Sequence, residues 1–166
     1  MTDTAELTVI GCDPGPTTGI CALHYRAGAL VRHGFAQVSH NWVEMVLDTL
    51  TDDAASTLTP GDLIIAVERF VVGPRAARSS TPAAGQITRR LIETIASTYT
   101  GRDGIPVVQR SAAEVKPWAS NSRLDAAGLL SSLAGMPHAR DAARQAIYCA
   151  VHDRGVPDPL SRRGGP

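Results

Sequence analysis

The sequence predicts an α/β fold: a five-stranded mixed sheet, its first three strands antiparallel, flanked by helices. Three observations carry this. Strand-like segments joined by tight turns fill residues 7–37, and segments of helical periodicity occupy much of the chain after residue 40. Between them lies Leu63-Ile64-Ile65-Ala66-Val67, a continuous apolar run of the kind found inside a sheet covered on both faces. At 166 residues, 43% apolar and 19% charged, the chain has the size of one domain whose core needs no disulfide or metal staple.

Leu7 to Cys12 is apolar and β-branched, the turn residues Asp13-Pro14-Gly15-Pro16-Thr17-Thr18-Gly19 interrupt it, and Ile20 to Tyr25 resumes the strand pattern. Ala27-Gly28 turns the chain again and Ala29 to Gln37 supplies a third strand, which completes an antiparallel meander. Trp42, Val43, Val46, Leu47 and Leu50 recur at helical spacing and predict a helix from about Asn41 to Ala55. Thr59-Pro60-Gly61-Asp62 ends that connection before the fourth strand, Leu63 to Val67. Phe70 to Pro82 has no period and is rich in Gly, Pro, Ser and Arg, as a surface loop would be. Ile87, Leu91, Ile92 and Ile95 mark a helix over about Ala83–Tyr99, and Val107-Val108 a short fifth strand. Ser111-Ala112-Ala113-Glu114 has capping-box spacing and opens a short helix that Pro117 stops. Helices over Ser122–Ala134 and about His138–Arg154 follow. The predicted domain is 1–154, with 155–166 a flexible tail lacking apolar anchors.

Several classes of function are disfavoured at once. No apolar run approaches the ~20 residues of a membrane span. The N-terminus carries Asp3 and Glu6 in place of a basic start and an apolar stretch, which predicts a cytoplasmic protein. Cys12, Cys21 and Cys149 are widely spaced in apolar sequence and fit neither a disulfide framework nor a zinc pattern, so free buried thiols are expected. The net charge of zero hides a division: residues 1–68 carry two bases against nine acids, and 69–166 fourteen bases against seven acids. Asymmetry of this size between halves points to nucleic acid. Fifteen of the sixteen bases are Arg, whose planar fork suits phosphate.

Two carboxylates stand at strand ends. Asp13 precedes Pro14-Gly15, where the backbone can approach a phosphate closely, and Glu68 ends the fourth strand. Taken singly, the first is an ordinary turn starter and the second an ordinary solvated acid. If the first and fourth strands are neighbours, both project from one sheet edge, a costly repulsion that calls for Mg²⁺ or Mn²⁺ between them. His138, Asp141 and Gln145 share one face near the start of the last helix, where Ala142, Ala143 and Ala146 permit close approach to the sheet. With Asp13 and Glu68 beside it, that face completes an oxygen-rich site suited to hard divalent cations.

The order of elements with acidic ends on the first and fourth strands resembles the RNase H-like fold, and within it the RuvC-type Holliday junction resolvases. Ile10-Gly11-Cys12-Asp13-Pro14-Gly15 is similar to that family's first-strand motif, and Ile65-Ala66-Val67-Glu68 to its second acidic motif. Gly85-Gln86 resembles a pair in the helix after the DNA-contacting loop, Val115-Lys116 a segment that brings a basic side chain near the scissile strand, and His138-Ala139-Arg140-Asp141-Ala142 the final motif. The resemblance spans roughly residues 7–152 and, in its compactness, extends to phage-encoded members. There are departures. Val71 stands where the family often has a stacking aromatic, with Phe70 one residue earlier, and Pro117-Trp118 follows Lys116.

The resemblance implies a metal-dependent, structure-selective endonuclease acting on four-way junctions, flaps or forks, as a homodimer without membrane contact. It implies two Mg²⁺ or Mn²⁺ ions on Asp13, Glu68, His138 and Asp141, with Lys116 at the reacting phosphate. Phe70, Arg75, Arg78, Arg89, Arg90 and Lys116 are the candidate DNA contacts. Two alternatives stay open: a phosphate-binding ATPase of the actin-like superfamily, suggested by Asp13-x-Gly15-x-Thr17-Thr18-Gly19, and a non-catalytic junction-binding module on the same scaffold.

Overall fold

The computed structural model describes residues 6–56, 62–71 and 81–161, apart from the Arg102 side chain. Five strands form one sheet: β1 (Glu6–Asp13), β2 (Thr17–Arg26), β3 (Ala29–Ser39), β4 (Leu63–Glu68) and β5 (Val107–Arg110). Their order is β3-β2-β1-β4-β5. The first three pair antiparallel as a meander, while β4 runs parallel to both β1 and β5. The predicted mixed α/β sheet is therefore present, and β1 and β4 are neighbours as the two acidic strand ends require.

Side chains alternate between two apolar layers, as the pleat demands. Val9, Cys21, Leu23, Ile64 and Ala66 face one way, packed against the last helix, α5 (Pro137–His152). Ile10, Cys12, Ile20, Ile65 and Val67 face the other, where α1 (Val43–Ala55) and α2 (Pro82–Ile95) cover them. Every residue of β4 from Leu63 to Val67 is buried, which explains why that strand reads as a continuous apolar run. The three cysteines are buried and free. No helix among the described residues is long and apolar enough to cross a membrane.

Sheet and helix α5 touch backbone to backbone. A Cβ built on Gly11 would fall on the Ala142 carbonyl oxygen, and one on Gly19 would fall on the His138 carbonyl group. The helix contributes only small side chains there: Ala139, Ala142, Ala143 and Ala146 are all fully buried. Two glycines in the sheet and four alanines in the helix thus bring the main chains closer than side chains would ordinarily permit.

Elsewhere the elements differ from the sequence reading in instructive ways. The helix expected over Ser122–Ala134 is broken. α4 (Asn121–Ala126) stops before Gly128 at φ 75°, and a 3-10 turn at Ser131–Leu133 follows. α2 begins with Thr81 as N-cap and Pro82 in its first turn, and beyond Ile95 it widens into a π-helical turn over Ala96–Arg102. The serine half of the capping box is as expected: the Ser111 hydroxyl accepts from the Glu114 N–H at 3.3 Å and opens the one-turn α3 (Ala112–Val115), while the Glu114 carboxylate pairs with Arg110 at 3.3 Å. Of the predicted flexible tail, 155–166, residues 155–161 are described and are anchored, while 162–166 lie outside the described residues. Val156 is 8% exposed, and Asp158 receives the Arg123 guanidinium at 3.0 Å. Val156 and Leu160 stand among Gly, Pro and polar residues with no periodic signal, so this anchor is invisible in the sequence.

Gly19→Ala should cost about 3 kcal/mol, the upper range for overpacking, because the His138 and Ala139 backbones have no rotamer with which to yield. Alanine at Gly34, where nothing lies within 4 Å of the added carbon, should change stability by less than about 1 kcal/mol. Urea midpoints of the two variants check the contrast.

Candidate active site

One row of residues crosses the sheet on the α5 side, at the edge where β1 and β4 end. Asp13 pairs with Gly19, and Gly19 with Gln37. On the other flank Cys12 pairs with Val67, so Glu68 stands beside Asp13, and Glu68 pairs with Arg110. Asp13 shares the pleat parity of Val9 and Gly11, and Glu68 that of Ile64 and Ala66, so both carboxylates point to the helix side.

The N-terminus of α5 lands on this row. Its N-cap, Met136, offers no side-chain acceptor, and the role passes to Gln37 on β3. Gln37 Oε1 accepts from the His138 N–H at 2.7 Å and from the Ala139 N–H at 3.3 Å. Two of the orphan amides of the first turn are thereby satisfied from across the sheet. His138 then extends to Asp13, with 2.9 Å between Nδ1 and Oδ2. One helical turn later Asp141 faces Lys116, whose Nζ donates to Oδ2 at 2.8 Å. Lys116 reaches it because β5 ends beside Glu68 and the single turn of α3 brings the chain back toward α5. Further along the helix, buried Gln145 donates from Nε2 to Glu68 Oε2 at 3.4 Å.

The five predicted catalytic positions, Asp13, Glu68, Lys116, His138 and Asp141, thus meet from four separate elements. Phe70 does not present a free ring: it is half-buried against the α1–α2 layer, with the Arg89 guanidinium 5.4 Å from its centroid. Arg89 also donates from Nε to the Gly85 carbonyl at 3.3 Å, and Arg90 is exposed on the same helix, on the sheet face opposite α5. Arg75 and Arg78 lie outside the described residues. Thr18, part of the phosphate-loop-like segment, is buried. Its hydroxyl closes its own turn, accepting from the Gly15 N–H at 3.2 Å and donating to the Gly15 carbonyl at 2.8 Å.

Two participants escape the sequence reading. Gln37 has no signal without the strand register that places it opposite Gly19. Arg144 does have one, since it lies three residues after Asp141 on the same helix face. Its Nη1 donates to Asp141 Oδ1, its Nη2 to Asn121 Oδ1 at 2.7 Å and its Nε to the Ala119 carbonyl at 3.1 Å.

Electrostatics give the cluster its character. Burial raises the Asp13 carboxyl above its ordinary value, and the nearby Asp141 charge adds to this against the opposing pull of His138 and Lys116. Burial also raises Glu68, reinforced by the charge of Asp13 and opposed by Lys116 and Gln145. Burial alone would lower the Lys116 ammonium, but Asp141, Glu68 and Asp13 outweigh it and hold it above its ordinary value. Among the described residues no three His, Cys, Asp or Glu side chains are arranged to hold a metal ion as they stand; Asp13 is turned to His138, and Asp141 to Lys116 and Arg144.

A carboxyl raised in the folded state binds its proton more readily than in the unfolded chain. Its ionisation therefore lowers stability as pH rises through the interval between the two values. With divalent ions chelated, Glu68→Gln should raise the melting temperature at pH 7, and this gain should shrink as pH falls toward the ordinary Glu value of 4.5 and be gone below it. Thermal unfolding in EDTA across that pH range is the measurement.

No family model matches the sequence, and no curated protein matches it. Among solved structures, T. thermophilus RuvC in complex with Holliday junction substrate is similar at a TM-score of 0.58 and 16% sequence identity, covering 90% of this chain and 96% of that one. The chain has the RNase H-like fold of that neighbour.

Proposed function

We propose that this chain is a metal-dependent, structure-selective DNA endonuclease of the RuvC type, cutting four-way junctions or other branched DNA. The observation that carries the reading is the meeting of Asp13, Glu68, His138 and Asp141 at one sheet edge with Lys116 against them. The solved neighbour at that fold holds a Holliday junction, and the bases of this chain are concentrated after residue 68.

The donor set fits hard divalent ions: three carboxylates and one imidazole, with Asp13 and Glu68 disfavoured as anions until a cation joins them. Asp13, Glu68, His138 and Asp141 would hold two Mg²⁺ or Mn²⁺ ions. When bound, such a pair supplies Lewis-acid activation of the attacking water and stabilises charge on the departing 3′ oxygen. The chain's own residues do the rest. His138 orients Asp13, Gln145 orients Glu68, and Lys116 is placed to neutralise charge on the reacting phosphate. A four-way junction has approximate two-fold symmetry, so paired nicks call for two copies of the chain. The ATPase reading has weaker support, because Thr18 spends its hydroxyl on its own turn.

Asp13→Asn should abolish nicking of a labelled four-way junction in Mg²⁺ by more than about 100-fold, beyond the usual loss from an outer-shell partner, while gel-shift affinity in Ca²⁺ stays near wild type. Binding without any cleavage by the wild-type chain would instead identify a non-catalytic junction-binding module. Junction affinity should fall about a thousandfold between about 50 and about 200 mM salt if roughly six phosphates are neutralised. A salt titration of the binding constant reads this directly.

Because imidazole suits Mn²⁺ better than the oxygen-preferring Mg²⁺, nicking should be faster in Mn²⁺. His138→Asp should move the preference toward Mg²⁺. The ratio of single-turnover rates in the two ions reports the shift.

A further inference from the structure

Both oxygens of Asp141 face cations, and the two cations are held differently. Lys116 is 41% exposed at its side chain and joins the cluster through the single bond to Oδ2. Arg144 is 17% exposed and is built in: its guanidinium spans Asp141 on its own helix, the Ala119 carbonyl after α3 and Asn121 at the start of α4. Lys116 can swing toward solvent for the loss of one bond. Arg144 can leave Asp141 only by giving up contacts to two further segments.

We infer that Arg144 is a fixed counter-cation that weakens divalent-ion binding at Asp141, leaving one carboxylate oxygen available where there would otherwise be two. The inference rests on the metal reading given above and specifies how that site is regulated. A permanent positive charge within a few ångströms of an incoming divalent ion opposes it strongly in a partly dehydrated site. The charge tally agrees: Asp13, Glu68 and Asp141 against Lys116 and Arg144 leave one net negative charge when His138 is neutral. Two divalent ions would far exceed that, so the protein alone is a weak metal binder. Arg144 acts through Asp141 as a positioning and charge-setting residue and touches no reacting atom.

The test is Mn²⁺ binding to the full chain at neutral pH without DNA, read from the electron paramagnetic resonance signal of free Mn²⁺. Arg144→Gln removes the charge and keeps an amide for the neighbouring carbonyls, and it should bind Mn²⁺ at least about tenfold more tightly than wild type. Arg144→Lys keeps the charge and should remain within about threefold of wild type. If the Gln variant does not fold, Arg144→Met, which preserves the apolar stem, takes its place with the same expectation. Equal or weaker Mn²⁺ binding in the charge-removing variant overturns the inference and makes Arg144 a brace for Asp141. Asp13→Asn separates this from failure of the metal reading. Loss of Mn²⁺ binding in that variant upholds the metal site, so an unaltered affinity on removing Arg144 then sinks the counter-cation alone. Mn²⁺ binding that survives Asp13→Asn unchanged sinks both.

Discussion

The absence of a side chain at Gly11 and Gly19 is the constraint on which the rest of the structure depends. Any larger residue at either place would lift α5 off the sheet. Lifting the helix would draw His138 away from Asp13 and Asp141 away from the β1–β4 edge. It would also break the two bonds by which Gln37 caps the helix. The glycines, the alanines of α5 and the polar row at its end are therefore one device: close packing in the middle of the helix fixes the position of its first turn. A helix held by long interdigitating side chains would stand farther from the sheet, too far for His138 to reach Asp13 in a direct hydrogen bond.

The same closeness is electrostatically expensive. Crowding Asp13, Glu68 and Asp141 into a half-buried edge raises the first two carboxyls, and the fold answers with hydrogen bonds from Gln145 and the charges of Lys116 and Arg144. The helix that is indispensable to the core, with Ala142, Ala146 and Ile147 fully buried, thus also brings the Asp141 charge against the two strand-end carboxyls that burial already disfavours. Residues of α5 alternate between these duties at helical spacing, so a substitution intended to stabilise the core risks turning the polar stripe.

Much of this was legible in the sequence because it rests on short-range rules. The meander follows from turn residues between alternating segments, β4 from five successive apolar residues, and α3 from one Ser-x-x-Glu. The meeting of Asp13 with Glu68 needed only that β1 and β4 be neighbours, and that of His138 with Asp141 only helical periodicity. What stayed hidden depends on long-range register or on one residue's environment. Gln37 looks like any polar strand residue until its pairing with Gly19 is known, and Phe70 looks available until Arg89 covers it. Gly128 breaks a helix whose leucine spacing is otherwise sound, because a positive φ outweighs a weak period.

The bond between His138 and Asp13 joins residues 125 positions apart. Contacts of such separation bear a large loop-closure entropy and form late, after the local hairpin and the intervening strands are in place. During synthesis the meander emerges first, with Asp13 exposed and lacking its helical partners, and the candidate site is complete only when α5 has docked onto the two glycines. A nascent chain that has not yet docked that helix therefore holds Asp13 and Glu68 of the candidate site without His138 and Asp141. Under the proposed function, assembly order would leave the metal-holding residues dispersed until the last helix is in place.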